Sequence, residues 1–251
     1  MLCQFFNHFT DLPDNNDYFM KTSIYLFIYL SIYLSVSLNA QSSAISARPQ
    51  ACPGVPSVRD IDGNTYNTVS IGFQCWTKEN LKVTKYNNGK PIPTGLNSSA
   101  WRDARFGAYT IYNNDNANDE IYGKLYNWFA VADNRGLCPT GWHVPTNAEW
   151  ITLTTFLGGE SVAGGKMKST SSLWSAPNTD ATNSSGFTAL PGGCRGSGGS
   201  FSGIRNYPFF WSATEDDSNY AWNRGLYGYN GIVTRDNYGK QSGYSVRCLR
   251  D

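Results

Sequence analysis

The sequence predicts an α+β domain of short antiparallel strands, about two helices and long loops, preceded by an export signal. Short apolar or aromatic runs alternate with Gly, Asn and Asp turns from residue 57 onward, as in small antiparallel sheets. Residues 146–157 have the spacing of an amphipathic helix. The 25 Gly, 8 Trp and 16 Tyr are typical of a loop-rich domain that contains β-sheet.

The first forty residues indicate export. Met20 and Lys21 begin a short basic region, residues 24–38 are almost wholly apolar, and Ala40 ends the segment at a plausible cut. The apolar run is too short for a membrane span. We therefore predict an N-terminal extension at 1–19, a signal peptide at 20–40, a linker at 41–56 and the domain at 57–251. The expected product is secreted or held at the cell surface, without a membrane span.

The charge of the exported part argues against a nucleic-acid partner. Removing residues 1–40 takes away one Lys and three Asp, which leaves 19 basic and 16 acidic residues, a net charge of +3. That excess is too small, and too evenly spread, to predict binding to nucleic acid or to an anionic membrane. The sequence predicts no oligomeric state.

The first elements of the domain form a hairpin. Asp62-Gly63 is a strong turn signal between two short strands, and the second strand continues through Val69 and Ile71 towards Trp76. Residues 91–118 are mostly loop, and residues 122–130 form a short helix or strand in the core. The run at 113–120 is dense in Asn and Asp, which favours a solvated turn over a Ca²⁺ site because no EF-hand spacing is present. No cofactor is predicted, and Ca²⁺ is the weaker alternative.

A capped helix lies at the centre of the chain. A strand at 141–144 stops at Pro145, and Thr146 with Glu149 has the spacing of a capping box. The helix is predicted to bury one apolar stripe, formed by Trp150, Ile151, Leu153, Phe156 and Leu157. Gly158 and Gly159 end it. Three later strands are predicted at 186–193, 209–214 and 243–249, with an acidic turn at 215–217.

Catalysis has little support in the sequence. His143 is the one histidine after the export segment, and in a core strand it is predicted to be a hydrogen-bonded structural residue rather than a catalytic base. Paired carboxylates for glycoside hydrolysis would come from Glu149, Asp180, Glu215 or Asp216. The capping box and a solvated turn already account for three of these four. No metal site is predicted, since the cysteine spacings fit no zinc motif.

Eight separated motifs resemble the Fibrobacter succinogenes major paralogous domain, a family of secreted and surface bacterial proteins. The resemblance covers residues 57–251. The motifs lie at residues 60–66, 71–76, 79–81, 123–128, 138–150, 186–193, 211–214 and 245–251.

Two of these motifs are also distantly similar to the formylglycine-generating (sulfatase-modifying) enzymes: residues 144–150 and the closing Val246-Arg247-Cys248. That similarity implies a C-type-lectin-like fold. The enzymes use a close pair of copper-binding cysteines near the C-terminus, whereas here Cys194 and Cys248 are far apart, so no such activity is expected. The calcium-binding Glu-Pro-Asn and Trp-Asn-Asp motifs of C-type lectins are absent.

The tail, residues 219–247, resembles the variable region of retroelement-diversified C-type-lectin proteins. The resemblance implies that its exposed aromatic and amide side chains form a ligand-binding surface, a composition suited to adaptable recognition. The candidate binding residues are Tyr220, Trp222, Asn223, Tyr227, Tyr229, Asn230, Asp236, Asn237 and Tyr238. The predicted function is a non-catalytic module that binds a glycan or a surface protein. The alternatives are a carbohydrate-active or protein-modifying enzyme and a structural or adhesion component of the envelope.

Five cysteines follow the export segment, and an oxidising compartment favours disulfides. The family resemblance implies a bond between Cys52 and Cys75 and another between Cys138 and Cys248. Cys194 is then free, and a Cys75–Cys194 bond is the main alternative.

Overall fold

The computed structural model describes residues 48–251, and the predictions for residues 1–40 and the first part of the linker lie outside this range. The strands are β1 Ser57–Arg59, β2 Thr65–Ile71, β3 Gln74–Thr77, β4 Tyr109–Thr110, β5 Leu125–Tyr126, β6 Trp142–His143, β7 Gly192–Arg195, β8 Phe201–Ile204, β9 Phe209–Glu215, β10 Tyr220–Leu226, β11 Val233–Gly239 and β12 Leu249–Arg250. The α-helices are α1 Ser98–Asp103, α2 Asn116–Tyr122, α3 Trp128–Val131, α4 Asn147–Phe156 and α5 Glu160–Met167.

The strands form antiparallel ladders, and the mixture of such strands with short helices confirms the predicted α+β class. The largest sheet has the order β1-β2-β3-β12-β6, and the second has the order β11-β10-β9. Two further two-stranded ladders join β4 to β5 and β7 to β8. Five α-helices occur where about two were expected in this part of the chain, because three of them have only four to seven residues and show no periodicity.

The first hairpin turns at Asp62-Gly63 as predicted, with Gly63 at φ +86°. The strand expected to run on to Trp76 is instead broken into β2 and β3. The break lies at Gly72, which has φ +61°, a conformation that glycine adopts at little cost.

The capping box of α4 is confirmed. The Thr146 hydroxyl accepts the amide of Glu149, and the Glu149 carboxylate accepts the amide of Thr146 at 2.7 Å. Trp150, Leu153 and Leu157 are buried as predicted. Ile151 and Phe156 are exposed, so the predicted stripe was too wide: the helix contacts the core over one narrow face.

Other predicted elements differ from the observed ones. Residues 186–191 form an irregular connection before β7, and the closing strand is confined to Leu249–Arg250, with isolated bridges at Tyr244 and Ser245 before it. The Asn/Asp run at 113–120 continues into α2, where Asp115 caps the helix by accepting the amide of Ala117. A polar run can enter a helix in this way because Asp and Asn are preferred N-caps.

The sheet β11-β10-β9 lies between two apolar clusters. Phe210, Leu226 and Val233 project from one face into a cluster with Trp150 and other residues of α4 and α5. From the other face Phe209, Trp211 and Ala221 pack against Tyr244, Trp128 and their neighbours. Both faces of this sheet are therefore covered for part of their length.

Both disulfides implied by the family resemblance are present. Cys52 is bonded to Cys75, Cys138 is bonded to Cys248, and Cys194 is a buried free thiol. The first of these bonds ties the end of the predicted linker to the sheet, where the backbone oxygen of Gln50 also accepts the amide of Ser70 at 2.8 Å. Among residues 48–251 there is no helix with the length and apolar character needed to span a bilayer.

Candidate functional site

The hairpin formed by β10 and β11 divides the predicted binding residues between two opposite faces. The register pairs Ala221 with Tyr238, and Trp222 with Asn237. Because side chains alternate along a strand, Tyr238 and Asp236 lie on one face, while Tyr220, Trp222 and Asn237 lie on the other. The nine residues therefore do not form one continuous site.

The first face carries four tyrosines that we call the tyrosine surface: Tyr207, Tyr227, Tyr229 and Tyr238. The ring centroids of Tyr207 and Tyr227 are 5.7 Å apart, and those of Tyr227 and Tyr229 are 5.2 Å apart. Tyr229 is 67% exposed and Tyr238 is 41% exposed, whereas Tyr207 and Tyr227 are half-buried. Together they present aromatic rings and hydroxyls to solvent.

Buried rings support this surface from below. Phe209 contacts Tyr207, Tyr227 and Tyr238, with centroids 5.4 to 6.0 Å apart, and stacks on buried Tyr244 at 4.9 Å. Such a layer limits the space in which the rings of Tyr207, Tyr227 and Tyr238 can rotate. Burial raises the pKa of Tyr227 to about 12, and burial also raises the pKa of Tyr238. Both hydroxyls stay protonated at neutral pH and can donate a hydrogen bond.

Lys168 holds the loop that carries Tyr227 and Tyr229. Its side chain is buried, and Nζ donates to the backbone oxygens of Thr179 at 2.6 Å, Tyr227 at 3.0 Å and Asn230 at 2.7 Å. Three donors aimed at three carbonyls match the capacity of an ammonium group. Burial lowers the pKa of Lys168. This lysine was not predicted, since nothing in its local sequence distinguishes it from a surface lysine.

Two of the predicted residues play structural parts. Asn223 is fully buried and its Nδ2 donates to the backbone oxygen of Asp236 at 2.9 Å, so it does not face solvent. Asn230 closes a turn, with Oδ1 accepting the amide of Ile232 at 3.0 Å. An alternating pattern of Asn and Tyr cannot tell which amides point inward, because that depends on what covers each face of the sheet.

Tyr207 is the residue that the sequence prediction omitted from this surface. It precedes β9, outside the tail, and its hydroxyl donates to Oγ of Ser202 at 3.1 Å. Its ring lies directly over Gly203, where a Cβ atom would come within 2.0 Å of it. Gly203, at φ +81°, is the one local signal that an aromatic ring approaches the backbone here.

The opposite face of the hairpin has a different chemistry. Tyr220 is 44% exposed, and the indole of Trp222 is covered by the guanidinium of Arg235, whose Cζ lies 4.0 Å from the ring centroid. Asn237 donates to Oδ2 of Asp216 at 2.6 Å. The tail prediction included the aromatic residues of this face but not its arginines.

His143 lies in β6 between two carboxylates. Its Nδ1 is 2.6 Å from Oδ1 of Asp251, and its Nε2 is 3.0 Å from Oε1 of Glu149. Burial opposes protonation, but the two carboxylates outweigh it and raise the pKa of His143. Both ring nitrogens are engaged by acids, so His143 is hydrogen-bonded as the sequence predicted, although its ring is half-buried rather than in the core.

Two of the other candidate acids also have partners, since Asp216 accepts a hydrogen bond from Asn237 and Glu215 forms an ion pair. Glu215 pairs with buried Lys240, whose ammonium lies over the ring of Trp128.

Within residues 48–251, no three His, Cys, Asp or Glu side chains come together in a way that could hold a metal ion. In the Asn/Asp run, Asp115 caps α2 and Asp119 pairs with Lys124 at 2.7 Å.

One family model matches the chain. The family is described as the Fibrobacter succinogenes major domain, and the match spans residues 69–250, more than two thirds of the sequence. No curated protein matches the chain.

Proposed function

We propose that this chain, which belongs to the Fibrobacter succinogenes major domain family, is an exported, non-catalytic module that binds a glycan or a surface protein through its tyrosine surface. The observation that carries the proposal is the buttressed group of four tyrosines on one face of the closing hairpin. Tyrosine offers a large contact area for two rotatable bonds, and its ring can cover an apolar patch while its hydroxyl finds a polar partner.

The surroundings of these rings support recognition of a polar ligand. Asp236 and Thr234 lie on the same face of the hairpin as Tyr238, and Ser202 lies against Tyr207. Binding sites combine apolar faces with a few placed polar groups in this way. The aromatic faces suit the C–H face of a pyranose ring or an apolar anchor from a protein.

A C-type-lectin-like fold is part of the proposal. The first and last strands belong to one sheet, and the Cys138–Cys248 bond joins the approach to the central helix to the end of the chain. Long irregular connections, such as residues 168–191, separate the short strands. The distant similarity to the formylglycine-generating enzymes is proposed on the same features.

The arrangement of the cysteines supports the proposal that this chain lacks the copper-dependent activity of the formylglycine-generating enzymes. Cys248 is bonded to Cys138 and Cys194 is buried, so no close thiol pair is left near the C-terminus to bind copper. Export is supported by the two disulfides, which persist in oxidising compartments. Sequencing the N-terminus of the exported protein tests this point: a chain that begins at Gln41 agrees with it, and one that retains residues 20–40 does not.

The binding proposal is tested with a glycan array and a pull-down from cell-surface extracts. The affinity of the wild-type protein for the ligand found in this way is then compared with that of two variants. One is Tyr229→Ala, and the other combines Tyr227→Ala with Tyr229→Ala. We expect at least tenfold weaker binding from the double variant, since exposed aromatic anchors dominate such interfaces. Phe106→Ala is the control, because Phe106 is a 50% exposed aromatic residue that lies outside the β10-β11 hairpin. Unchanged binding by a folded double variant would reject the tyrosine surface as the site.

A further inference from the structure

Two arginines lie side by side on the face of the hairpin opposite the tyrosine surface. Arg224 of β10 and Arg235 of β11 are directly paired in the antiparallel register. Both donate to the same atom, Oδ1 of Asn147 at the start of α4: Nη2 of Arg224 at 2.9 Å and Nε of Arg235 at 3.1 Å. One neutral amide thus bridges two cations.

Neither guanidinium has a carboxylate within 4.0 Å among the described residues. Arg224 is fully buried, and its Nε has no hydrogen-bond partner in this part of the molecule. Its other contacts are backbone or amide oxygens, at Asn223 and Asn147. Burial lowers the pKa of Arg224 to about 10, so it stays charged at neutral pH. Glu160 and Asp236 attract the charge of Arg224 from beyond ion-pair distance, so the two arginines carry positive charge without a direct ion-pair partner among the described residues.

The exposed member of the pair is oriented by an aromatic ring. The guanidinium of Arg235 stacks on Trp222 at 4.0 Å, and its Nε is used by Asn147. Its two terminal nitrogens donate no hydrogen bond within residues 48–251, and the residue is exposed, so these nitrogens are available to an acceptor on a ligand. A planar fork held in this way matches a carboxylate or a sulfate. The exposed ring of Tyr220 lies on the same face.

We propose that Arg235, stacked on Trp222 and reinforced by the buried charge of Arg224, binds the acidic group of a polysaccharide, a uronate carboxylate or a sulfate ester. Trp222 and Tyr220 provide aromatic surface for the sugar ring that bears the acid. The site is distinct from the tyrosine surface, because the two lie on opposite faces of one hairpin. A nucleic acid fits less well, since affinity for its phosphate backbone requires several exposed cations and this face has one.

The experiment measures binding of polygalacturonate, dextran sulfate, neutral dextran and oligothymidylate at low ionic strength, where screening is weakest. Two variants alter the site: Arg235→Gln removes the charge, and Arg235→Lys keeps the charge but loses the planar fork. Arg59→Gln is the matched control, an exposed arginine on β1 in the other sheet. Thermal denaturation verifies that each variant is folded.

We expect one or both acidic polysaccharides to bind and neutral dextran not to bind. Arg235→Gln should weaken binding roughly tenfold, equivalent to about 1.4 kcal/mol, with Arg235→Lys intermediate and Arg59→Gln unchanged. Preference for polygalacturonate or for dextran sulfate identifies the acidic group. The proposal is overturned if no acidic polysaccharide binds, or if Arg235→Gln and Arg59→Gln change binding equally. It is also overturned if oligothymidylate binds more tightly than both polygalacturonate and dextran sulfate. Tyr229→Ala should leave this binding intact, which separates the result from that of the tyrosine surface.

Discussion

The ammonium group of Lys168 lies 3.0 Å from the backbone oxygen of Tyr227 and fastens the loop of the tyrosine surface to the body of the domain. Lys168 comes directly after α5, far from that loop in sequence. The contact shows how a buried cation can hold a surface loop in place, and under the proposed function it does so without touching the ligand. Lys168 is therefore a positioning residue.

Replacing Lys168 with Met should lower the free energy of unfolding by about 3 kcal/mol, because three partly buried backbone carbonyls lose their donor. Ligand binding should fall further than this loss of stability explains, since the loop becomes free to move. The measurements are urea denaturation and binding at a temperature at which the variant is folded. Lys166→Met is the control, because Lys166 makes one such bond, to Leu157. Wild-type affinity in folded Lys168→Met would show that the loop orders itself.

Arg247 should be among the most sensitive positions in the core. It is fully buried beside the rings of Phe187 and Phe210, and it donates to Asn80 at 2.6 Å and to three backbone oxygens. We expect Arg247→Met to cost about 4 kcal/mol, because several buried acceptors lose their donors at once. Arg250→Met, at an exposed neighbour, should change stability by about 0.5 kcal/mol or less. Chemical denaturation measures the free energy of unfolding of both variants. Equal losses would contradict a central role of Arg247 in the core.

The two disulfides should contribute unequally to stability. They close loops that span 23 and 110 residues, for which chain entropy predicts about 3.4 and about 4.8 kcal/mol respectively. The paired variants Cys52→Ala with Cys75→Ala, and Cys138→Ala with Cys248→Ala, separate the two contributions by denaturation. We expect the variant that lacks the Cys138–Cys248 bond to be less stable than the variant that lacks the Cys52–Cys75 bond. The opposite order would indicate that structure in the unfolded state, rather than loop length, controls the effect.

The cluster of His143, Glu149 and Asp251 should make stability depend on pH. The pKa of folded His143 is raised above its ordinary 6.5, so its stabilising charge is fully present below pH 6.5 and is lost as the pH rises through the folded pKa. The pKa of Glu149 is lowered below 4.5: burial opposes this, but bonds from Thr146 and His143 outweigh it. Its contribution is present above pH 4.5 and is lost on acidification.

The melting temperature should therefore decrease from pH 6 towards pH 9 more steeply in the wild type than in His143→Gln. The difference between the two proteins is the informative quantity, because other groups titrate equally in both. Parallel curves would show that His143 contributes no pH-dependent stability in the folded protein.

The local sequence was sufficient for features that depend on neighbouring residues. The Asp62-Gly63 hairpin, the capping box of Thr146 and Glu149, and the strand after Tyr207 all follow from short-range hydrogen bonding and turn chemistry. The break at Gly72 was missed because an apolar run does not reveal where a glycine takes a positive φ. The exposure of Ile151 and Phe156 was missed because the width of a helix's buried face depends on its partners.

By itself the sequence determined the α+β class, the family and the region of the tail in which ligand-binding residues were to be sought. Only the tertiary structure decided which tail residues share a face, which are buried and what supports them. The physical reason is that strand alternation sorts side chains to two sides with opposite surroundings. Contacts between residues distant along the chain bring Tyr207 and Lys168 to Tyr227, and Arg224 to Asn147. No local sequence pattern encodes such contacts.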